Sequence, residues 1–339
     1  MTYRARHLRP PAGVDATTRS GDGYLPVLCK VPPKSLTGVP HPIPYQGSKR
    51  QLAKYIVSLF PPAATRLVES FAGSAAVSLA AGHLRRIGRW RLNDFHKPLI
   101  DLWTQIINDP DGISDRYEAV WQAQLGDERA YYDKVRRRFN TAHRPEDFLY
   151  LLARCVKAAI RYNARGEFNN SPDNRRRGAL PETMRRHIAG ASTLLRGRCD
   201  LSALDYRQVL AAAKPGDLVY MDPPYQGVVD THNHRYRHGI SFDEFVDALG
   251  DLSRRNIPFI VSYDGRTGTK RYGRPLPASL GLTHVELQAG RSTQATLLGR
   301  DDSTFESLYL SGDIVVDEQH LIHGASGGGE TASLFAGAI

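Results

Sequence analysis

The sequence predicts an α/β protein in which a parallel sheet covered by helices is interrupted by a mostly helical insert. Three observations carry this. From about residue 41, strand-like and helix-like segments alternate with short connections, the pattern of βα units. Between about residues 110 and 198 the alternation gives way to long helix-like stretches. Strand signals then return at 217–221, 258–263 and 305–310. The 339 residues suffice for one large domain or two moderate ones. With 24% charged and 41% hydrophobic residues, the composition is that of a globular chain.

Residues 1–40 are rich in Pro, Gly and Arg without a regular period, and read as a flexible basic arm. A helix-like run, QLAKYIVSLF, follows. Residues 66–69 read as a strand, Ala72-Gly73-Ser74 as a small-residue turn, and 75–87 as a helix. A second strand at 90–93 leads through Asp94 into a helix over 97–107. The first catalytic part is thus expected over 41–109 and the insert over 110–199. Helices are expected at 146–162 and 180–197, separated by the polar loop GEFNNSPDNRRRG. The second catalytic part spans 200–320 and opens with a short strand at CDLSALD. A flexible tail, 321–339, closes the chain.

The formal net charge is +10 and the pI near 9.5. Residues 131–200 hold 16 Lys and Arg against 7 Asp and Glu, and residues 1–50 hold 8 against 2, so the remainder is net acidic. Two basic segments on an acidic body suit a nucleic-acid contact surface, although a run such as Arg136-Arg137-Arg138 or Arg175-Arg176-Arg177 is as compatible with a solvated face. No apolar run approaches the roughly 20 residues of a membrane span, and the N-terminus lacks a secretory apolar stretch. Three cysteines without a CxxC pair argue against a disulfide scaffold or a Cys zinc site, so a cytoplasmic protein is expected.

Chemistry concentrates in a few motifs. Asp222-Pro223-Pro224-Tyr225 follows the apolar strand LVYM, where open α/β sheets bind ligands. Two prolines stiffen the turn and remove two donors, leaving the Asp222 carboxylate and Pro223 carbonyl as acceptors suited to an amino group. Tyr225 adds a face for stacking a heterocycle. The turn at Phe71, Ala72, Gly73 and Ser74 lets a ligand approach the backbone, though it lacks GxGxxG spacing. Asp94, about 20 residues further on, suits ribose hydroxyls or a helix N-cap. Tyr45-Gln46-Gly47-Ser48-Lys49 is not a phosphate loop, since no earlier glycine stands at the required spacing. His232, Asn233, His234 and His238 read as a loop beside DNA or substrate rather than a metal site.

In this order the motifs resemble the Dam-like D12 class of DNA adenine-N6 methyltransferases, over about residues 41–312. Tyr45 to Lys49 is similar to the family's N-terminal cofactor motif, Glu69 to Ala75 to FxGxG with Ala75 in place of the second glycine, and Leu92-Asn93-Asp94 to the acidic second-strand motif. Asp222 to Tyr225 matches the catalytic DPPY, and Arg161 to Asn169 the R-x-N-x-x-G-x-F-N stretch of the DNA-recognition region. Val261-Ser262-Tyr263 and Glu306 to Tyr309 match weaker C-terminal motifs.

The resemblance implies a Rossmann-like sheet with helices on both faces and a DNA-recognition insert. It implies S-adenosylmethionine as cofactor, no metal, and methylation of an adenine flipped out of duplex DNA. It places Tyr45, Gly47 and Lys49 at the methionine end of the cofactor, Phe71, Ala72, Gly73 and Ser74 along its pocket, Asp94 at its ribose and Asp205 near its adenine. Asp222 serves both cofactor and base. Arg136, Arg137, Arg161, Asn163, Arg165, Asn169, Arg175 and Arg176 are the expected DNA contacts. A monomer on double-stranded DNA is expected, with a cognate restriction endonuclease as an optional partner. An rRNA adenine-N6 methyltransferase and an inactive DNA-binding relative share many of these features. The R-x-N-x-x-G-x-F-N stretch favours DNA over rRNA.

Overall fold

The computed structural model describes residues 27–30, 37–224, 240–267, 270–272, 274–291, 303–312 and 314–316. Its centre is the parallel run predicted from the alternating segments. β2 (Arg66–Glu69) lies between β3 (Arg89–Asn93) and β5 (Asp217–Met221). Beyond β3 comes β4 (Cys199–Ser202), and beyond β5 comes β6 (Phe259–Thr267), all parallel. The chain order therefore reverses at β2, and the crevice at the carboxyl ends of β2 and β5 is where such sheets take ligands. Arg66 and Asp217, partners in register, close a two-point ion pair of 2.7 and 2.8 Å that pins β2 to β5.

Past β6 the sheet continues through antiparallel β9 (Ser303–Leu310) to β8 (Thr283–Arg291) and β1 (Val27–Lys30). The short β7 (Lys270–Tyr272) pairs with β6. β1 runs parallel to β8 and lies inside the segment expected to be a featureless arm, so that expectation fails for Val27–Lys30.

Burial alternates across the sheet. Leu67, Leu218, Tyr220 and Ile260 belong to one core cluster, and Val68, Val219, Met221, Phe259 and Val261 to the other, so both faces are covered. The second face is covered by α8 (Tyr206–Ala211) and α9 (Phe242–Arg254), the latter capped by Ser241. The first takes α1 (Ala53–Ser58), α2 (Ala76–His83) and α3 (Lys97–Asn108), whose Leu99, Leu102, Trp103, Ile106 and Ile107 form one buried stripe.

The insert adds α4 (Pro110–Gln122), α5 (Glu128–Ala142), α6 (Pro145–Arg154) and α7 (Pro181–Leu195). Asp109 and Asp127 cap α4 and α5 by accepting from Gly112 N and Ala130 N. The insert's buried side chains merge with the first core cluster rather than forming a core of their own.

One helix is shorter than its apolar pattern predicts. The expected helix over 146–162 stops at Arg154, because Cys155 is extended and Lys157 and Ala158 have positive φ. The main chain pairs instead with the following loop: Val156 N donates to Ser171 O and Asp173 N to Arg154 O, while buried Asn170 donates to the carbonyls of Val156 and Ala159. Cys155 packs in the insert, whereas Cys199 begins β4.

Candidate active site

Three loops meet at the carboxyl ends of β2, β3 and β5. Buried Asn93, at the end of β3, ties the β2 loop to the end of β4. Its Nδ2 donates to the carbonyls of Ser70 (3.1 Å) and Leu204 (2.9 Å), and its Oδ1 accepts from Ser202 Oγ (2.8 Å) and Leu204 N (2.9 Å). One fully used amide thus sets the ends of β2, β3 and β4 against each other.

The turn after β2 is held as tightly. Gly73 adopts φ +49°, and a Cβ there would lie 3.1 Å from Cε1 of Tyr45, so the Tyr45 ring lies on the turn. Gly73 N donates to Asp94 Oδ2 (3.1 Å), and its carbonyl accepts from Trp103 Nε1 (3.0 Å). The other Asp94 oxygen accepts from His96 N at 3.0 Å. The N-cap of α3 is His96, so Asp94 acts as a brace between two loops and not as the cap.

Ala75, fully buried, takes the left-handed conformation (φ 49°, ψ 34°) at the start of α2. That geometry costs an L-residue about 1–2 kcal/mol. The turn forms nonetheless with alanine at the second glycine position of FxGxG.

Lys49 and Asp222 meet across 173 residues of sequence. Lys49 Nζ, buried, donates to both carboxylate oxygens of Asp222 at 2.9 Å and lies 4.0 Å from Glu306 Oε2 on β9. Burial works against the ammonium, but Asp222 and Glu306 outweigh it and hold the Lys49 pKa well above its ordinary value. The loop that delivers Lys49 turns at Gly47, φ +84°. It is joined to the glycine turn by a 2.8 Å Ser48–Ser74 hydroxyl bond. Glu69, at the end of β2, is buried with its Oε1 on Ser78 N at 2.6 Å. Burial raises its pKa to about 8, against the Ser78 hydrogen bond.

Around this centre, Ala72 is buried, Phe71 packs 5.5 Å from the Tyr206 ring, Pro223 is buried and Pro224 half-buried. Asp205 caps α8 three residues beyond β4, and its ion pair with Arg207 lowers its pKa. Tyr225, His232, Asn233, His234 and His238 lie outside the described residues. Among the described residues no three His, Cys, Asp or Glu side chains converge as metal ligands, and no helix is long and apolar enough to cross a membrane.

The recognition stretch forms a hairpin in which Tyr162 pairs with Phe168 and Asn169 N donates to Arg161 O. Asn163 closes its tip, accepting from the amides of Arg165 and Glu167 and donating to the Glu167 carboxylate. That side chain is engaged within the turn, while Arg161, Arg165 and Asn169 are exposed. Arg165 pairs with Glu167 at 3.2 Å, Arg136 with Asp133 at 3.1 Å, and both Arg175 and Arg176 with Asp173. Arg137 is exposed on α5. The hairpin reaches the strand ends through Tyr162, whose hydroxyl lies 2.5 Å from His96 Nε2. Gln46 N donates to Ala158 O at 3.1 Å.

Several of these residues carry no signal of their role in the sequence. Asn93 and Glu306 stand there only as motif letters, and nothing marks His96 and Tyr162 as a pair. Phe95, 59% exposed beside Asp94, was not singled out. An aromatic directly after a strand-ending acid was the available signal for it.

This arrangement, an open α/β sheet with an acid at its central strand end and a helical insert before it, is that of a Rossmann-like methyltransferase. The chain matches the D12 class N6 adenine-specific DNA methyltransferases over residues 45–296 and belongs to that family. It is similar to a retron Ec67 DNA adenine methylase of Escherichia coli, 29% identical over 260 residues that cover 74% of this chain and 84% of that protein. A DNA N-6-adenine-methyltransferase of Escherichia phage P1 is 28% identical over 65% of this chain, but the match spans only 28% of that protein's length. A DNA adenine methylase of Serratia marcescens is 30% identical over 53% of this chain and 65% of that protein.

Proposed function

We propose that the protein is a site-specific DNA methyltransferase that methylates N6 of an adenine flipped out of duplex DNA, with S-adenosylmethionine as donor. The observation that carries this reading is the pairing of buried Lys49 with half-buried Asp222 at the end of the central strand, beside the Asp94-braced glycine turn.

The residues present fit such a cofactor. Gly73 leaves no room for a side chain beside Tyr45, and Asp94 supplies a buried carboxylate at the turn. Lys49, Tyr45 and Gly47 would hold the methionine end, Phe71, Ala72, Gly73 and Ser74 the pocket wall, Asp94 the ribose, and Asp205 with Phe95 the adenine side. When bound, S-adenosylmethionine supplies an electrophilic methyl group on a sulfonium.

Asp222 and the Pro223 carbonyl accept the two N–H bonds of the target amine and orient its lone pair, which ring conjugation otherwise withdraws. A carboxylate has about four lone-pair sites, so Asp222 can accept one N–H without releasing Lys49. As positive charge develops on N6, Asp222 stabilises it, and the methylated N6 then gives up one of its two protons to solvent. Tyr225 stacks on the flipped base. Arg161, Arg165, Asn169, Arg136, Arg137, Arg175 and Arg176, with Asn163 shaping the hairpin, contact the duplex.

Tritiated S-adenosylmethionine offered with duplex DNA and with rRNA tests the reading. Label is expected in the N6-methyladenine of DNA, and label in rRNA alone would sink it. Asp222→Ala is expected to reduce transfer by about a thousandfold or more while DNA binding persists. Near-normal turnover would remove Asp222 from its role.

A further inference from the structure

The arginines of the recognition region are largely paired with carboxylates, yet another group of arginines is not. Arg85 and Arg86 follow α2, Arg89 opens β3, and Arg196 and Arg198 lie between α7 and β4. All five are exposed, and none has an acidic partner among the described residues. The nearest carboxylate in sequence, Asp200, faces Arg66 at 3.9 Å.

Three of them, Arg85, Arg86 and Arg198, line a pocket of about 230 Å³ whose floor is Trp90 and Leu194. The floor is tight, because a Cβ on Gly82 would lie 3.2 Å from the Trp90 ring. Two of the guanidiniums are held in place. Arg86 donates to Phe60 O at 2.9 Å, and Arg198 donates to Thr193 O at 3.0 Å while its guanidinium lies 5.7 Å from the Trp90 ring centre. Each keeps further donors for a ligand.

The pocket sits where β3 and β4 begin, whereas Asp94 and Asp222 lie where strands end. Five residues of β3 separate the two edges, about 16 Å of strand. The two sites thus lie at opposite ends of the parallel strands, and the pocket is not part of the end that presents Asp222. Guanidiniums with fixed forks and no carboxylate match phosphate oxygens.

Given the DNA reading above, on which this step rests, we infer that the Arg85–Arg86–Arg198 pocket, flanked by Arg89 and Arg196, holds the phosphate backbone of a second DNA segment. The protein would then carry two DNA surfaces at opposite ends of the strands of one sheet.

The test uses the full chain bound to an immobilised short duplex and asks whether it captures a second, labelled duplex. Arg85→Glu removes no described hydrogen bond, so it reverses charge without disturbing the floor. A triple variant, Arg85→Ala with Arg86→Ala and Arg198→Ala, removes the site. Each phosphate contact adds about 0.9 to the salt slope, so Arg85→Glu should weaken capture about tenfold and the triple variant should abolish it, with methyl transfer to a short duplex changed less than about twofold.

Capture that is absent in the wild-type protein, or undiminished from wild type in both variants, overturns the inference. So does a loss of methyl transfer in step with capture, which would make the patch part of the catalytic face. So does competition by inorganic phosphate as effective as that by DNA, which would mark a small-anion pocket. Capture without any methyl transfer by the wild-type protein would support the inference and count against the proposed function.

Discussion

The strand ends around Asp94 and the helical insert hold their polar groups in opposite ways. At the strand ends, Asn93, Asp94 and Glu69 are buried and bonded mainly to main-chain amides and carbonyls. In the insert, arginines sit at the rim and are answered by carboxylates, Arg136 by Asp133, Arg176 by Asp173 and Arg177 by Glu128. Main-chain bonding fixes positions, since the partner moves only if the fold moves. Rim ion pairs contribute little and are screened by salt, so an arginine can exchange its carboxylate for a phosphate. One region is built to be rigid and the other to trade partners.

Two buried carboxylates sharpen that contrast. Glu69 is held by the amide of Ser78, whereas Asp147 in α6 receives two bonds from Arg138, one of them 2.7 Å. Because Glu69 has its pKa raised to about 8 from 4.5, the folded protein keeps a proton there that the unfolded chain has lost. Its stability therefore falls between those values as pH rises, by about 1.4 kcal/mol per pH unit. Glu69→Gln preserves an acceptor for Ser78 and removes the titration. Unfolding measured from pH 5 to 8 should show the variant gaining on the wild-type protein throughout that window. Parallel pH profiles would show that Glu69 stays ionised in the fold.

The insert's carboxylate should respond to loss of its partner instead. Arg138→Ala leaves Asp147 buried without its cation, and the expected loss is about 2–3 kcal/mol, since Arg138 itself is one-third exposed. Denaturant midpoints at fixed pH measure it. A loss below about 0.5 kcal/mol would place this pair with the exchangeable rim pairs and blur the distinction.

Ala75 probes how firmly the glycine turn is set. Ala75→Val adds a β-branched side chain at φ 49° in a fully buried position and should cost about 2 kcal/mol, together with a raised KM for the cofactor. Ala75→Gly relieves about 1–2 kcal/mol of left-handed strain but loses about 0.8 kcal/mol of methyl burial and about 0.5–1 kcal/mol to chain entropy, so the gain and the losses nearly cancel. Thermal unfolding should place the Val variant well below the wild-type protein and the Gly variant close to it. A Val variant as stable as wild type would show that the turn relaxes.

The sequence shows the rigid region better than the exchangeable one. β2, β3 and β5 were legible because short apolar runs end in a glycine turn or an acid, a local signal. The Lys49–Asp222 pair and the Asn93 brace were not, because their partners are distant in sequence and meet only in the fold. The end of α6 was hidden for a similar reason. The apolar run continues past Arg154, and it is the long-range claim of Ser171, Asn170 and Asp173 on its main chain that unwinds it. β1 and β8 carry no local signal because β1 is completed by β8, and β8 by β1 and β9.

The smallest expected effect tests whether rim pairing sets what an arginine contributes to DNA. Arg161 and Arg165 stand on the same exposed hairpin, but Arg165 is already paired with Glu167 at 3.2 Å and Arg161 has no described carboxylate partner. Replacing either with alanine removes one positive charge. For Arg165 the duplex must first displace Glu167, and Arg165→Ala leaves that carboxylate facing the phosphates, so the two losses differ in form. Arg161→Ala should lower the slope of log affinity against log salt by about 1. Arg165→Ala should lower it by a similar amount only if Glu167→Gln, made alone, tightens DNA binding. Titrations of all three variants over a range of salt measure this. If Glu167→Gln leaves affinity unchanged, the Arg165–Glu167 pair persists on DNA, and the hairpin belongs with the rigid region.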